Sequence, residues 1–170
     1  MVPEAKLEDG VPQTEGWFVL NAREARWVHN EMGGYCPFEG EGDARFGDLA
    51  INLNWLPPGK PMAMYHAEES QEAFLVLSGD CLLIVEGQEL PLRTWDFFHC
   101  PPWCEHTILG AGEEPALVLA VGARGKQGAR YPVNEVANRR GAGVEEGMSP
   151  RDAYARYGDL REGPAPELPA

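Results

Sequence analysis

The spacing of apolar positions changes character partway along the chain. Residues 1 to about 16 carry no sustained apolar period and read as a polar, irregular arm. A short apolar run over 17–20 leads into 21–29, where Asn21 could cap one or two helical turns. The stretch 33–47 is rich in glycine and acids around the island Tyr35-Cys36-Pro37-Phe38, and reads as a loop. From Leu49 the texture becomes one of short apolar, β-branched and aromatic runs separated by turn signals, the pattern of an all-β sandwich or barrel. The runs fall at 49–55, 62–66, 73–77, 81–85, 89–92, 95–100, 106–109 and 116–121, which predicts roughly eight strands. After Ala123 the chain turns basic and glycine-rich. Ser149 followed by Pro150 then predicts a short capped helix over 149–157, and Pro164, Pro166 and Pro169 mark an extended tail. The organisation expected is an arm and loop at 1–48 packing on a barrel at 49–123, with a C-terminal extension at 124–170.

Composition narrows this picture. Twenty Gly and 15 Pro among 170 residues, about a fifth of the chain, favour many short elements joined by turns over a helical bundle. A formal charge of −13 repels phosphate backbones and anionic lipid surfaces, so neither a nucleic acid nor a membrane is expected as partner. No basic stretch followed by an apolar run opens the chain, and no apolar run is long enough to span a bilayer, so a cytoplasmic protein is expected. Cys36, Cys81, Cys100 and Cys104 are expected as thiols, because a cytosolic chain of this length needs no disulfide. Cys100 and Cys104 stand near His99 and His106, but no second Cys/His cluster completes a structural zinc framework. Met62, Met64, Tyr65, Phe74, Trp95, Phe97 and Trp103 are expected as core or cavity lining.

The chemistry is concentrated in two segments. On a strand, side chains alternate between faces, so His66 and Glu68 project together, and Glu72, Phe74 and Val76 share that face if parity survives the intervening turn. Two carboxylates side by side on a buried face repel, and each is costly to desolvate unless a proton or a cation neutralises it. A divalent metal removes both costs, and His106, on a later strand, can add a second imidazole.

These residues resemble the two motifs of the cupin superfamily. Gly59, His66, Glu68, Glu72 and Gly79 fall at the places of the first motif, with six residues in the first spacer where five are usual. Pro101 and His106 match the second, while Trp103 stands in place of its second glycine and Gly110 in place of its final asparagine. The resemblance covers about residues 49–123. It implies an all-β, cupin-type double-stranded β-helix, a jelly-roll barrel, here with short helical N- and C-terminal extensions. It also implies a mononuclear site for a divalent transition metal (Zn, Fe, Mn or Ni) held by His66, Glu72 and His106. Glu68 occupies the second His position of the motif, so the ligand set implied is two histidines and two glutamates, the alternative being that Glu68 stands behind the ligands rather than on the ion.

By the same resemblance the expected function is that of a metal-dependent enzyme on a small organic substrate, of isomerase, dioxygenase or lyase type. The alternative is a non-catalytic metal- or ligand-binding sensor; a storage role is disfavoured by the cost of converging two acids without a purpose. The basic residues in or near the barrel region, Lys60, Arg93 and Arg124, are few, which makes a phosphosugar substrate less attractive. Pairing as a homodimer through a sheet edge or face is expected.

Overall fold

The computed structural model describes residues 1–126 and 128–169. Its fourteen strands pair antiparallel throughout. In chain order β1 (Leu7–Glu8) and β2 (Val11–Pro12) form a small hairpin, followed by β3 (Trp27–Asn30), β4 (Gly33–Pro37) and β5 (Leu49–Leu56). Next come β6 (Ala67–Glu68), β7 (Glu72–Ser78), β8 (Asp80–Val85), β9 (Gln88–Arg93) and β10 (Phe97–Cys100). The remaining strands are β11 (His106–Gly110), β12 (Ala116–Ala123), β13 (Ala129–Arg130) and β14 (Arg161–Gly163), with helices α1 (Glu135–Arg139) and α2 (Pro150–Ala155) between the last two.

A seven-stranded sheet in the order β10-β7-β12-β5-β4-β3-β14 faces a three-stranded sheet, β11-β8-β9, across a shared apolar core. Strand alternation decides which residues fill it. Phe74 and Val76 of β7 and Val118 and Ala120 of β12 point inward and meet Cys81, Leu83 and Ile108 from the smaller sheet. The Phe, Val, Leu and Ile side chains among them each contribute about 1.5–3 kcal/mol when taken fully out of water. The opposite parity of the large sheet is buried as well: Leu53 and Leu117 pack with Trp27 and Cys36 under the N-terminal arm and the C-terminal tail. Among the described residues, hydrogen bonds do not join these sheets into one closed barrel, so the jelly-roll arrangement is that of a two-sheet sandwich.

The eight expected runs coincide with strands except one. Residues 62–66 form no strand; the segment is tied down by isolated bridges, Pro61 to Leu109 and His66 to His106. The helical turns expected at 21–29 do not form, and the N-terminal extension is helical only in a 3-10 turn at Gly42–Ala44. The Asn21 side chain accepts only from the Arg23 N–H, closing a single turn, and the chain then enters β3. The deciding term is tertiary: Trp27 is fully buried against Cys36 and Leu53, and its indole N–H donates to Ala22 O. The island at Tyr35-Cys36 is strand β4 rather than loop, pairing with β5 at Cys36–Leu53. Gly33 permits that close approach, since a Cβ there, at φ +142°, would lie 2.2 Å from Trp55 O.

The C-terminal helix forms as expected, with the Ser149 hydroxyl accepting from the Asp152 N–H and Pro150 in the first turn. Sequence reading did not locate α1, whose Asn134 cap accepts from the N–H groups of Val136 and Ala137. Nor did it locate β14, which pairs with β3 out of the expected tail. Among the described residues, no helix is long and apolar enough to cross a membrane.

Candidate metal centre

Glu72 opens β7 on the inward parity shared with Phe74 and Val76, and its cross-strand partner is Gly122. His106 opens β11 and is fully buried; His66 lies at the end of the irregular segment before β6. The two histidines hold one another by paired backbone bonds, His66 N–H to His106 O at 3.1 Å and His106 N–H to His66 O at 2.8 Å. That bridge brings their rings to a centroid separation of 4.9 Å.

Each ring is oriented by the carbonyl two residues before it. His66 Nδ1 lies 2.7 Å from Met64 O, and His106 Nδ1 lies 3.1 Å from Cys104 O. A carbonyl can only accept, so each Nδ1 carries a proton and each neutral ring presents an Nε2 lone pair to the interior. The Cys100 thiol sulfur also lies 3.3 Å from His106 Nδ1, behind the ring.

Three potential donor atoms, one each from His66, Glu72 and His106, lie within 4.8 Å of one another. His106 Nε2 and Glu72 Oε2 are 3.5 Å apart, and both are buried with no hydrogen-bond partner. Two facing acceptors left unsatisfied cost free energy that a shared proton or a cation recovers. Their spacing suits two ligands on one first-row ion at about 2.0–2.2 Å from each, and two imidazoles with one carboxylate suit ions such as Fe(II) or Zn. The residues present fit a metal.

Glu68 is placed differently. It does not belong to that trio; its Oε1 stands 3.5 Å from His66 Nε2 and its side chain is 42% exposed, against 15% for Glu72. It sits at the mouth, where the site opens into a cavity of about 890 Å³ lined also by Asn52, Gly122, Arg45, Arg124 and Lys126.

The electrostatics separate the four groups. Burial, helped by the charge of Glu68, pushes the Glu72 carboxyl up to about 7. Burial and the neighbouring His66 push His106 down to about 4, so this imidazole is neutral at pH 7. For His66, burial works against the charged form, but the Glu68 contact and the charge of Glu72 outweigh it and raise the ring above its usual value. The same contact with His66 holds Glu68 below the usual carboxylate range.

All four cysteines are free thiols. Burial raises the Cys100 and Cys104 thiols, so neither offers a thiolate, and it is the carbonyl of Cys104 that serves the site. Sequence spacing gave no sign of Tyr131, whose ring stacks on His66 with centroids 5.7 Å apart, nor of Arg45 and Lys126 in the cavity.

Comparison with known proteins bears on the fold. The family model described as a cupin domain matches residues 55–122. No curated protein matches the sequence. A cupin 2 domain-containing protein from Halorhodospira halophila is 16% identical with a TM-score of 0.53, the match covering 62% of this chain and 73% of that one. A polyketide cyclase from Streptomyces resistomycificus is 14% identical with a TM-score of 0.51, over 59% of this chain and 71% of that one. Both share the fold. A sugar phosphate isomerase of the cupin superfamily from Silicibacter pomeroyi is 25% identical with a TM-score of 0.48 over 61% of this chain. This chain covers 62% of that isomerase, less than two thirds of its length.

Proposed function

We propose that this chain, which carries a cupin domain, is a metal-dependent enzyme acting on a small organic substrate by isomerase, dioxygenase or lyase chemistry. The observation that carries the reading is the pair of buried, unpartnered donor atoms, Glu72 Oε2 and His106 Nε2, beside an open cavity that Glu72 lines. His66, Glu72 and His106 would hold a divalent transition ion. Glu68, whose oxygen lies 3.5 Å from the same His66 nitrogen, is proposed as the fourth ligand. When bound, such an ion supplies a Lewis acid and open positions for a substrate oxygen.

The chain's own residues set the conditions. The carbonyls of Met64 and Cys104 keep both imidazoles in the tautomer that donates from Nδ1. Phe74 and Phe98 close off the inner side of His106, with ring centroids 5.3 and 5.7 Å away, and exclude water there. Glu68 stands at the mouth, 3.5 Å from His66 and 42% exposed, where it can close the ligand set from the cavity side.

The test is turnover. Protein loaded in turn with Fe(II), Mn(II), Ni(II) and Zn(II) is offered phenols, keto acids, thiols and aldoses, with dioxygen uptake and product formation followed. The reading expects turnover with at least one pairing, abolished by chelation and restored by the ion. Substrate binding without turnover across every ion would favour the non-catalytic sensor. We further propose a homodimer, consistent with exposed Phe97 on the edge strand β10. A light-scattering mass near the monomer's 18.7 kDa would contradict it.

A further inference from the structure

The cavity above the candidate metal centre concentrates positive charge in an acidic protein. Arg45, Arg124 and Lys126 line it beside Glu68 and Glu72, although the chain as a whole carries −13. Arg124 is the fixed member. Its side chain is only 17% exposed, and it pairs through Nη2 with Glu39, which also reaches Arg45 at 3.9 Å. Glu39 is itself anchored, its Oε2 accepting from the Phe46 N–H at 2.9 Å, and the Arg124 backbone N–H donates to Asp48 O at 2.8 Å. With the guanidinium so placed, Nε is buried and has no partner. A guanidinium held in place by Glu39 and still lining the cavity is a preset charged donor to an oxyanion.

Charge balance says when that oxyanion is welcome. Arg45, Arg124 and Lys126 are matched by Glu39, Glu68 and Glu72, so the metal-free cavity is nearly neutral. A divalent ion on His66, Glu72 and His106 would leave a surplus of two positive charges.

We infer that the substrate is an anion: a small organic acid or phosphoryl compound whose oxyanion binds Arg124, assisted by Lys126 and Arg45, while its other end reaches the metal centre. This names the substrate class for the enzyme proposed above and rests on that reading. The expectation from sequence, that too few cations attend the barrel, changes because Arg45 and Lys126 come from outside it.

Calorimetry on Zn(II)-loaded protein, with metal content measured in parallel, tests this with succinate, inorganic phosphate and the neutral analogue succinamide. Succinate or phosphate should bind wild type, succinamide should not, and whichever anion binds more tightly identifies the carboxylate or phosphoryl class. Arg124→Gln should weaken that anion at least tenfold and Lys126→Gln about threefold, both with unchanged zinc content. Lys126 is exposed, so its variant reads the site even if Arg124→Gln fails to fold. Should the protein retain no zinc, the metal reading fails by itself; the same titrations on metal-free protein then read Arg124 and Lys126 alone, and weaker anion binding that both variants reduce still supports the anion site. Equal affinity in wild type and both variants, or no binding of either anion, overturns the inference.

Discussion

The two ends of the sandwich interior are built from the same strands and solve opposite problems. At one end Phe74, Val76, Leu83, Ile108 and Val118 fill the space between the sheets and ask nothing further of their surroundings. At the other, Glu72 and His106 sit on neighbouring positions of the same strands, His66 joins them from the segment before β6, and two of these polar atoms stay buried without a partner. Glu72 and Phe74 stand only two positions apart along β7. The difference teaches where selection for stability stops: the dry end stabilises the fold alone, whereas the polar end is stabilised only when something outside the chain neutralises it.

Several substitutions would break or sharpen that contrast. Ile108→Ala empties part of the dry end and should cost about 2–5 kcal/mol of folding free energy in urea titrations, while metal stoichiometry in the folded fraction stays the same. Glu72→Gln should do the reverse. It removes a ligand charge and should weaken divalent-ion binding about 100-fold or more, roughly 2.7 kcal/mol, yet leave metal-free stability at pH 8 equal or higher, since an awkward buried carboxylate is gone.

The pH dependence follows from the same group. Glu72 has its folded value raised from 4.5 to about 7. Its contribution is therefore fully present below the unfolded value and lost as pH rises through the folded one. Metal-free wild type, measured against Glu72→Gln, should lose about 2–3 kcal/mol between pH 4.5 and 7.5. Saturating divalent ion should erase that loss. A difference curve that is flat without metal would show that the carboxyl is not perturbed. The smallest effect is expected at Ser149→Ala, which removes the cap of α2 and should cost about 1 kcal/mol by thermal unfolding. Because Ala153 of α2 packs with Met64, whose carbonyl orients His66, metal affinity should fall slightly too, by less than tenfold.

How much of this could be read from the sequence divides along physical lines. Where local chemistry decides, the reading worked: Gly79, at φ +77° in the turn between β7 and β8, and the alternation that places Glu72 with Phe74 and Val76 needed no distant partner. Where a distant partner decides, it did not. Trp27 became part of a strand because Cys36 and Leu53 wait to cover it, which the helical cap signal at Asn21 cannot convey. Arg124 is aimed by Glu39, 85 positions earlier, and Tyr131 reaches His66 from 65 positions later. The carbonyls of Met64 and Cys104 are backbone atoms, which carry no side-chain signature at all.

The central claim is that the polar end is built around one divalent ion. Titrating metal-free protein with Co(II), read by visible absorption and by equilibrium dialysis, tests it most directly. The account predicts one equivalent bound by wild type with ligand-field bands, and loss of both signals in His106→Ala and Glu72→Gln. Equal uptake by wild type and the two variants, or no uptake by any of them, would contradict it.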